Sequence, residues 1–240
     1  IVDGDQAGHE VLLAVLFTRK QVAVARQLNL DAPGLESAVM AQLSGPDLSL
    51  VCSALKLARE RNYPVANVLD AVIPINNSMP SPSLQFGTDE EFLCELAKFL
   101  GQVGADDPRV VPALMQLYAY PFDTWRGYTL HDSVMLALAE IGPAAREATD
   151  LLKIAGRPSP VRIYAFWMVT GRYGSRCESL EKLASVPDRD YQEFVAQELA
   201  RVEPCEKTIP LLKKLISHSL IWVRDDAACS AIRLSLASAV

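Results

Sequence analysis

Three histidines, His9, His131 and His218, are the side chains best suited to metal binding or proton transfer. None is followed by a second metal ligand three or four residues later, the spacing that places two ligands on one helix face. The sequence also lacks the glycine-rich pattern of a phosphate loop and the G-x-S-x-G pattern of a nucleophile elbow. We therefore predict no catalytic residues, no metal site, no cofactor and no enzymatic activity.

Acidic side chains cluster at residues 89–91, 106–107, 188–190 and 225–226. Paired carboxylates can perform acid–base catalysis when their environments separate their pKa values. These clusters fall at the predicted starts of helices, where a carboxylate accepts bonds from free backbone N–H groups and interacts favourably with the helix dipole. We interpret them as structural caps.

The richest aromatic stretch is residues 118–128, which is predicted to connect two helices. Trp, Tyr and Arg are the residue types that most often anchor protein interfaces. The rings either anchor a partner or fold back and fill a gap between helices. The partner-binding hypothesis names Tyr118, Tyr120, Phe122, Trp125, Arg126 and Tyr128.

The charge balance argues against a nucleic-acid groove, because the formal net charge is −6 and the densest basic spot, Lys213-Lys214 with nearby Lys207, is small. We interpret that spot as a solvated helix face. No apolar run approaches the roughly 18–20 residues that span a bilayer.

None of the five cysteines forms a C-x-x-C pair, and we predict buried, reduced thiols, which are typical of a cytoplasmic protein. Because the chain begins with Ile1, we expect a piece of a longer protein.

Helices account for most segments between sequence breakers. Residues 7–30 are continuous helix formers. Further helices are predicted for residues 35–43, from the cap Asp47 to about Arg61, from Pro64 through Ile73, and from Thr88 to Gly101 or Gly104. Residues 74–83 contain three prolines and several small polar residues, which predicts a loop.

Two patterns then repeat along the chain with nearly the same period. The first places matched leucines at Leu114, Leu151, Leu180 and Leu212, at offsets of 37, 29 and 32 residues. The second places matched alanines at Ala137, Ala165, Ala196 and Ala227. Two interleaved series indicate a unit of two helices whose apolar faces are buried only when units stack. We expect the leucines in the core and the alanines at close helix approaches.

The repeat resembles the HEAT-like family over residues 88–240. Val161-Arg162-x-x-Ala165 and Val223-Arg224-x-x-Ala227 resemble its first helix, and Val111-Pro112-Ala113-Leu114 and Ile209-Pro210-Leu211-Leu212 resemble the start of its second. The resemblance implies an all-α solenoid of antiparallel helix pairs, with residues 1–87 as degenerate repeats or a helical cap. It also implies that Arg162 and Arg224 bond acidic residues of the adjacent repeat, with Asp188 or Asp190 as partners of Arg224.

A solenoid presents an extended surface, so we predict a non-enzymatic scaffold or adaptor that binds another protein. Candidate contacts on the second helices are Gln116, Asp150, Lys153, Glu181, Lys182, Lys213 and Lys214.

The alternative is a ligand-binding repeat protein similar to bilin lyases, whose pigment would meet Arg157, Arg162, Arg172 and Arg176 beside Tyr164, Phe166 and Trp167. Similar repeats also occur in DNA alkylation-repair glycosylases, which the acidic balance disfavours. A structural module within a larger chain is the third possibility.

Overall fold

A computed structural model describes residues 35–45, 47–61, 63–78, 88–119, 130–153 and 159–237. Regular structure in these segments is helical, without a β-strand among them, which confirms the all-α prediction. The helices expected in residues 7–30 lie outside the described residues. The chain divides into two compact units, Ile1–Val134 and Met135–Val240. The predicted border at residue 88 follows the register of the repeat, and it stays a prediction.

The described helices of the first unit begin and end close to the breakers in the sequence. The helices are α1 (Leu35–Leu43), α2 (Leu48–Glu60), α3 (Val65–Ser78), α4 (Thr88–Val103) and α5 (Val110–Tyr118). Helix α2 packs against α1 and α4, and α5 packs against α3 and α4. The buried side chains between them include Leu55, Leu69, Phe92 and Leu100. Helix α6 (Leu130–Ile141) contains the border between the units.

Local capping explains several of these boundaries. The Asp47 carboxylate accepts hydrogen bonds from the backbone N–H groups of Ser49 and Leu50, as predicted for the start of α2. The Asp107 carboxylate accepts from the backbone and side chain of Arg109 just before α5. That guanidinium also bonds Asp70 of α3 at 2.6 Å. The Asp107 carboxylate is therefore structural, as the sequence indicates.

The predicted loop at residues 74–83 is wrong in its first part, because α3 continues through Pro74 to Ser78. Proline inside a helix removes one backbone hydrogen bond and disfavours helical backbone at the residue before it. The preceding turns bury Val68, Leu69 and Val72, and this packing outweighs the local preference. Residues 79–83 lie outside the described residues.

The second unit starts with the end of α6 and a 3-10 helix, Gly142–Ala148, and continues with short helices. The helices are α7 (Thr149–Leu152), α8 (Pro160–Thr170), α9 (Arg176–Ala184), α10 (Arg189–Glu198), α11 (Thr208–Ile216) and α12 (Ile221–Ala237). Ser159 and Ser175 cap the starts of α8 and α9 with their hydroxyl groups, and Asp188 caps α10 with its carboxylate. Gly171 ends α8 with a left-handed backbone conformation, which glycine adopts without steric cost.

Alternate helices of this unit contact one another. Helix α10 packs against both α8 and α12, while α9 packs against α11. The ring of Tyr164 meets that of Phe194 edge to face between α8 and α10. Gln197 donates to the Asp226 carboxylate at 2.9 Å between α10 and α12. Contacts between alternate helices therefore link α8 to α10 and α10 to α12, and they link α9 to α11.

The matched small residues of the repeat are buried as expected, at Ala137, Ala165, Ala196 and Ala227. Of the matched leucines, Leu114, Leu180 and Leu212 are buried.

The prediction for Leu151, the remaining matched leucine, is wrong, because Leu151 is half-buried and Leu152 takes the core position. The 3-10 helix before α7 has about 3.0 residues per turn, fewer than an α-helix. That difference changes which side of the following turn faces the core.

Candidate interaction surface

A disulfide joins helices α9 and α11 near their starts. It links Cys177, in the first turn of α9, to Cys205, three residues before α11, across a separation of 28 residues. The hydroxyl of Thr208 lies 3.5 Å from Cys177 Sγ, and the backbone N–H of Lys207 donates to Cys205 Sγ. The prediction that the cysteines are reduced thiols is therefore wrong for this pair. Tertiary packing brings together two residues that the sequence separates by about one repeat.

The other three cysteines are free thiols in different environments. Burial raises the pKa of Cys52 to about 11, and burial also raises the pKa of Cys94. Cys229 is exposed on α12, which contradicts the expectation of burial at that position. Because disulfides persist chiefly in oxidising compartments, the disulfide weakens the argument for a cytoplasmic location, which stays a prediction.

An open groove of about 530 Å³ lies between α9 and α11, next to the disulfide. Lys207 Nζ donates to Glu181 Oε2 at 2.7 Å. This bond lowers the pKa of Glu181 and raises the pKa of Lys207, so both groups stay charged near neutral pH. The groove is lined by Glu181, Ala184, Ser185, Glu206, Lys207, Pro210, Leu211 and Lys214.

The outer face of α11 borders this groove and combines apolar and basic side chains. Ile209 is 63% exposed and Ile216 is 40% exposed, which is unusual for isoleucine. Residues 209, 213 and 216 are spaced by four and three residues, so they share one helix face. Lys213 lies between the two isoleucines, and the exposed Lys214 lines the groove beside them. This face can contact an apolar side chain and an acidic group together.

The residues predicted for the binding surface are mostly exposed, and two of them line the groove. Glu181 is half-buried, and it lines the groove together with Lys214. Asp150 and Lys153 bond each other at 2.9 Å on α7. The other exposed members are Gln116, Lys182 and Lys213. The sequence analysis did not indicate the exposed isoleucines Ile209 and Ile216, which lie on the same helix as Lys213 and Lys214.

The aromatic stretch is described only at Tyr118, the last residue of α5, and at Ala119. The half-buried ring of Tyr118 packs against that of His131 at a tilt, with the ring centres 4.6 Å apart. His131 Nε2 also lies 3.0 Å from the backbone oxygen of Tyr118. Both contacts belong to helix packing. The remaining candidates, Tyr120, Phe122, Trp125, Arg126 and Tyr128, lie outside the described residues.

The arginines singled out by the repeat and by the pigment alternative mostly serve local structure. Arg224 donates to the backbone carbonyls of His218 and Ser219, and not to the expected Asp188 or Asp190. The physical reason is proximity, because both carbonyls belong to the turn just before the arginine's own helix.

Arg162 is half-buried in the first turn of α8. Arg172 lies over the rings of Trp167 and Tyr173, with its guanidinium carbon 5.8 and 5.9 Å from the ring centres.

Two of the other pigment candidates make contacts with neighbouring elements of the second unit. Arg176 donates to the Glu140 carbonyl, and the buried ring of Tyr164 packs on α10. Phe166 is half-buried, and Arg157 lies outside the described residues.

The buried carboxylate of Glu198 has one property of a catalytic group. Burial raises the pKa of Glu198, a property that catalytic acids share. Arg201 donates to its carboxylate within the same turn of chain. We interpret this contact as a structural ion pair at the end of α10.

Within the described segments, no group of three or more His, Cys, Asp or Glu side chains could hold a metal ion. None of the described helices has the length and apolar character needed to cross a bilayer. A comparison with protein-family models gives no match to this sequence, and a comparison with curated proteins gives none either.

Proposed function

We propose that this protein is a non-enzymatic scaffold that binds another protein, and that its helix pairs form a HEAT-like solenoid. The contacts of α10 with α8 and α12, and of α9 with α11, support the solenoid, because stacked helix pairs produce contacts between alternate helices. The buried alanines at the matched repeat positions support it as well.

The proposed binding surface is the outer face of α11 together with the groove beside α9. The observation that carries this proposal is the exposure of Ile209 and Ile216 around Lys213, with Lys214 at the groove. Exposed apolar groups gain free energy when a partner covers them. The lysines complement acidic groups at the rim and thereby select the partner. The partner segment is therefore both acidic and apolar.

Helical geometry gives the partner segment a simple form. Ile209 and Ile216 are seven residues apart, which is two helical turns and about 10 Å along the axis. A partner helix with two apolar side chains at the same spacing could contact both isoleucines. Acidic residues beside those positions would meet Lys213 and Lys214. This is the helix-in-groove mode of recognition.

The test uses a displayed library of random 16-residue peptides, selected on the immobilised full chain. We expect enrichment of peptides with acidic residues beside paired apolar residues. Fluorescence anisotropy then measures their affinity for the wild type and for the Lys213→Glu/Lys214→Glu variant. Reversing both exposed charges should weaken binding by about tenfold or more, because attraction at the rim becomes repulsion.

A matched control is Arg146→Glu/Arg172→Glu, which makes the same change in net charge at exposed residues of the 3-10 helix and just after α8. It should leave peptide affinity unchanged. A selection without enrichment, or peptides that bind the α11 variant and the wild type equally, would contradict the proposal. Circular dichroism should show equal helicity for all three proteins.

The aromatic stretch stays a second, separate prediction for partner contact. The Trp125→Ala/Arg126→Ala variant tests it by pull-down against the wild type. Equal recovery of the same partner would refute a role for these residues.

A further inference from the structure

The face of α12 that points away from the core is unusually apolar. Ile221, Trp222 and Ile232 are 51%, 57% and 58% exposed. Cys229 is exposed on the same helix. Val223, Ala227 and Ser230 are buried, so they define the opposite, core-facing side. Exposed apolar side chains gathered on one helix face are typical of a surface that a partner covers.

Two opposite charges lie on this face at symmetric positions. Asp225 and Arg233 are both exposed. Each is four residues from Cys229, one before it and one after it. Residues four apart lie on the same helix face, so these three side chains form a line along α12. We call Ile221, Asp225, Cys229, Ile232 and Arg233, with Trp222 at the edge, the α12 outer face.

The two charges lie at equal distances from Cys229, the negative one towards the start of α12 and the positive one towards its end. When two copies of α12 lie antiparallel across a two-fold axis at Cys229, Asp225 of each copy faces Arg233 of the other. The same patch then supplies both sides of the contact, as a two-fold interface requires. A parallel arrangement would instead place each charge opposite its own kind. The charges therefore favour a second copy of α12 as the partner and the antiparallel arrangement of the two helices.

We propose that the α12 outer face binds the α12 outer face of a second copy of this chain, antiparallel, with Cys229 at the two-fold axis. The apolar side chains supply the contact area, and two Asp225–Arg233 pairs fix the register. This surface is separate from the α11 face proposed for another protein, so either proposal can fail alone.

The length of the helix sets the strength of this dimer. Helix α12 has 17 residues, which corresponds to about 25 Å. Pairing two such helices buries on the order of 1,000 Å², which is at the lower end for specific interfaces. We therefore expect reversible dimers in the micromolar range. The exposed ion pairs contribute modestly to affinity, and their main effect is to exclude wrong arrangements.

Sedimentation equilibrium of the full chain over micromolar concentrations tests the proposal by charge reversal. Asp225→Arg should weaken dimerisation by about tenfold, because two pairs of like charges then face each other. Arg233→Asp should do the same for the same reason. The double variant Asp225→Arg/Arg233→Asp should recover most of the wild-type affinity. An equimolar mixture of the two single variants should form the mixed dimer.

Crosslinking with a short bismaleimide tests the position of the axis. The reagent should join two wild-type chains through Cys229, and Cys229→Ser should abolish the product. Far-ultraviolet circular dichroism confirms that each variant keeps its helices. A wild type that is monomeric at all concentrations, as expected if another protein covers this face, overturns the proposal. So does a dimer that both single reversals leave unchanged, or a double variant that fails to recover.

Discussion

The disulfide between α9 and α11 gives the most measurable prediction about stability. Breaking it releases a loop whose ends, Cys177 and Cys205, are 28 residues apart. The loop-closure relation then predicts a loss of about 3–4 kcal/mol at 25 °C, because the unfolded chain gains conformational freedom. The folded state should persist, since the Lys207–Glu181 bond and the contact between α9 and α11 remain. A loss of this size is a large share of the stability of an ordinary domain.

Urea denaturation followed by far-ultraviolet circular dichroism measures this loss with and without a phosphine reductant. The midpoint should fall when reductant is present. The dependence of the unfolding free energy on urea should steepen, because the released unfolded chain exposes more surface. In Cys205→Ser the midpoint should match that of the reduced wild type and should no longer respond to reductant. Cys229→Ser should behave as the wild type does.

Thiol counting gives an independent measurement. Alkylation of the denatured, unreduced chain should label three of the five cysteines, Cys52, Cys94 and Cys229. Labelling of all five, together with a midpoint that reductant leaves unchanged, would refute the cross-link and the stability calculated from it.

Three further substitutions test packing, a buried hydrogen bond and an exposed ion pair. Leu180→Ala should lower the free energy of unfolding by about 2–5 kcal/mol in thermal or urea unfolding, because the side chain is fully buried; no measurable loss would contradict its place in the core. Ser230→Ala should cost about 1–3 kcal/mol in the same assay, since its buried hydroxyl donates to the Ala196 carbonyl; a stability equal to that of the wild type would show that the bond is dispensable. Hydrogen bonds from Arg109 lower the pKa of Asp107 from 3.8 to about 2, so this group contributes stability above pH 4 and loses it as the pH falls towards 2. The stability difference between wild type and Asp107→Asn should therefore shrink over that interval, and a difference independent of pH would rule out this contribution.

Much of the local structure follows from the sequence alone. Asp47 caps α2 through bonds to residues two and three positions later, and Gly171 ends α8 because the required backbone conformation suits glycine. These effects act between near neighbours in the chain, so a pattern of residue types is enough to predict them. The period of the repeat predicted the buried alanines for a similar reason, since regular spacing places them on one helix face.

Other features depended on contacts between distant residues. Pro74 lies within α3 because neighbouring residues pack into a core whose other members come from other helices. Leu152, one position after the matched leucine, is buried after a 3-10 helix that no residue pattern had indicated. The pairing of Cys177 with Cys205 required α9 and α11 to lie side by side.

The exposed faces of α11 and α12 also depend partly on the sequence and partly on contacts between distant residues. The sequence determined that this chain forms helices, and it determined which residue types those helices carry. Only the tertiary structure decided that Ile209 on α11 and Ile232 on α12 lie outside the core while similar side chains are buried. The physical reason is that side-chain exposure depends on which helices pack against each face, and those helices come from distant parts of the sequence.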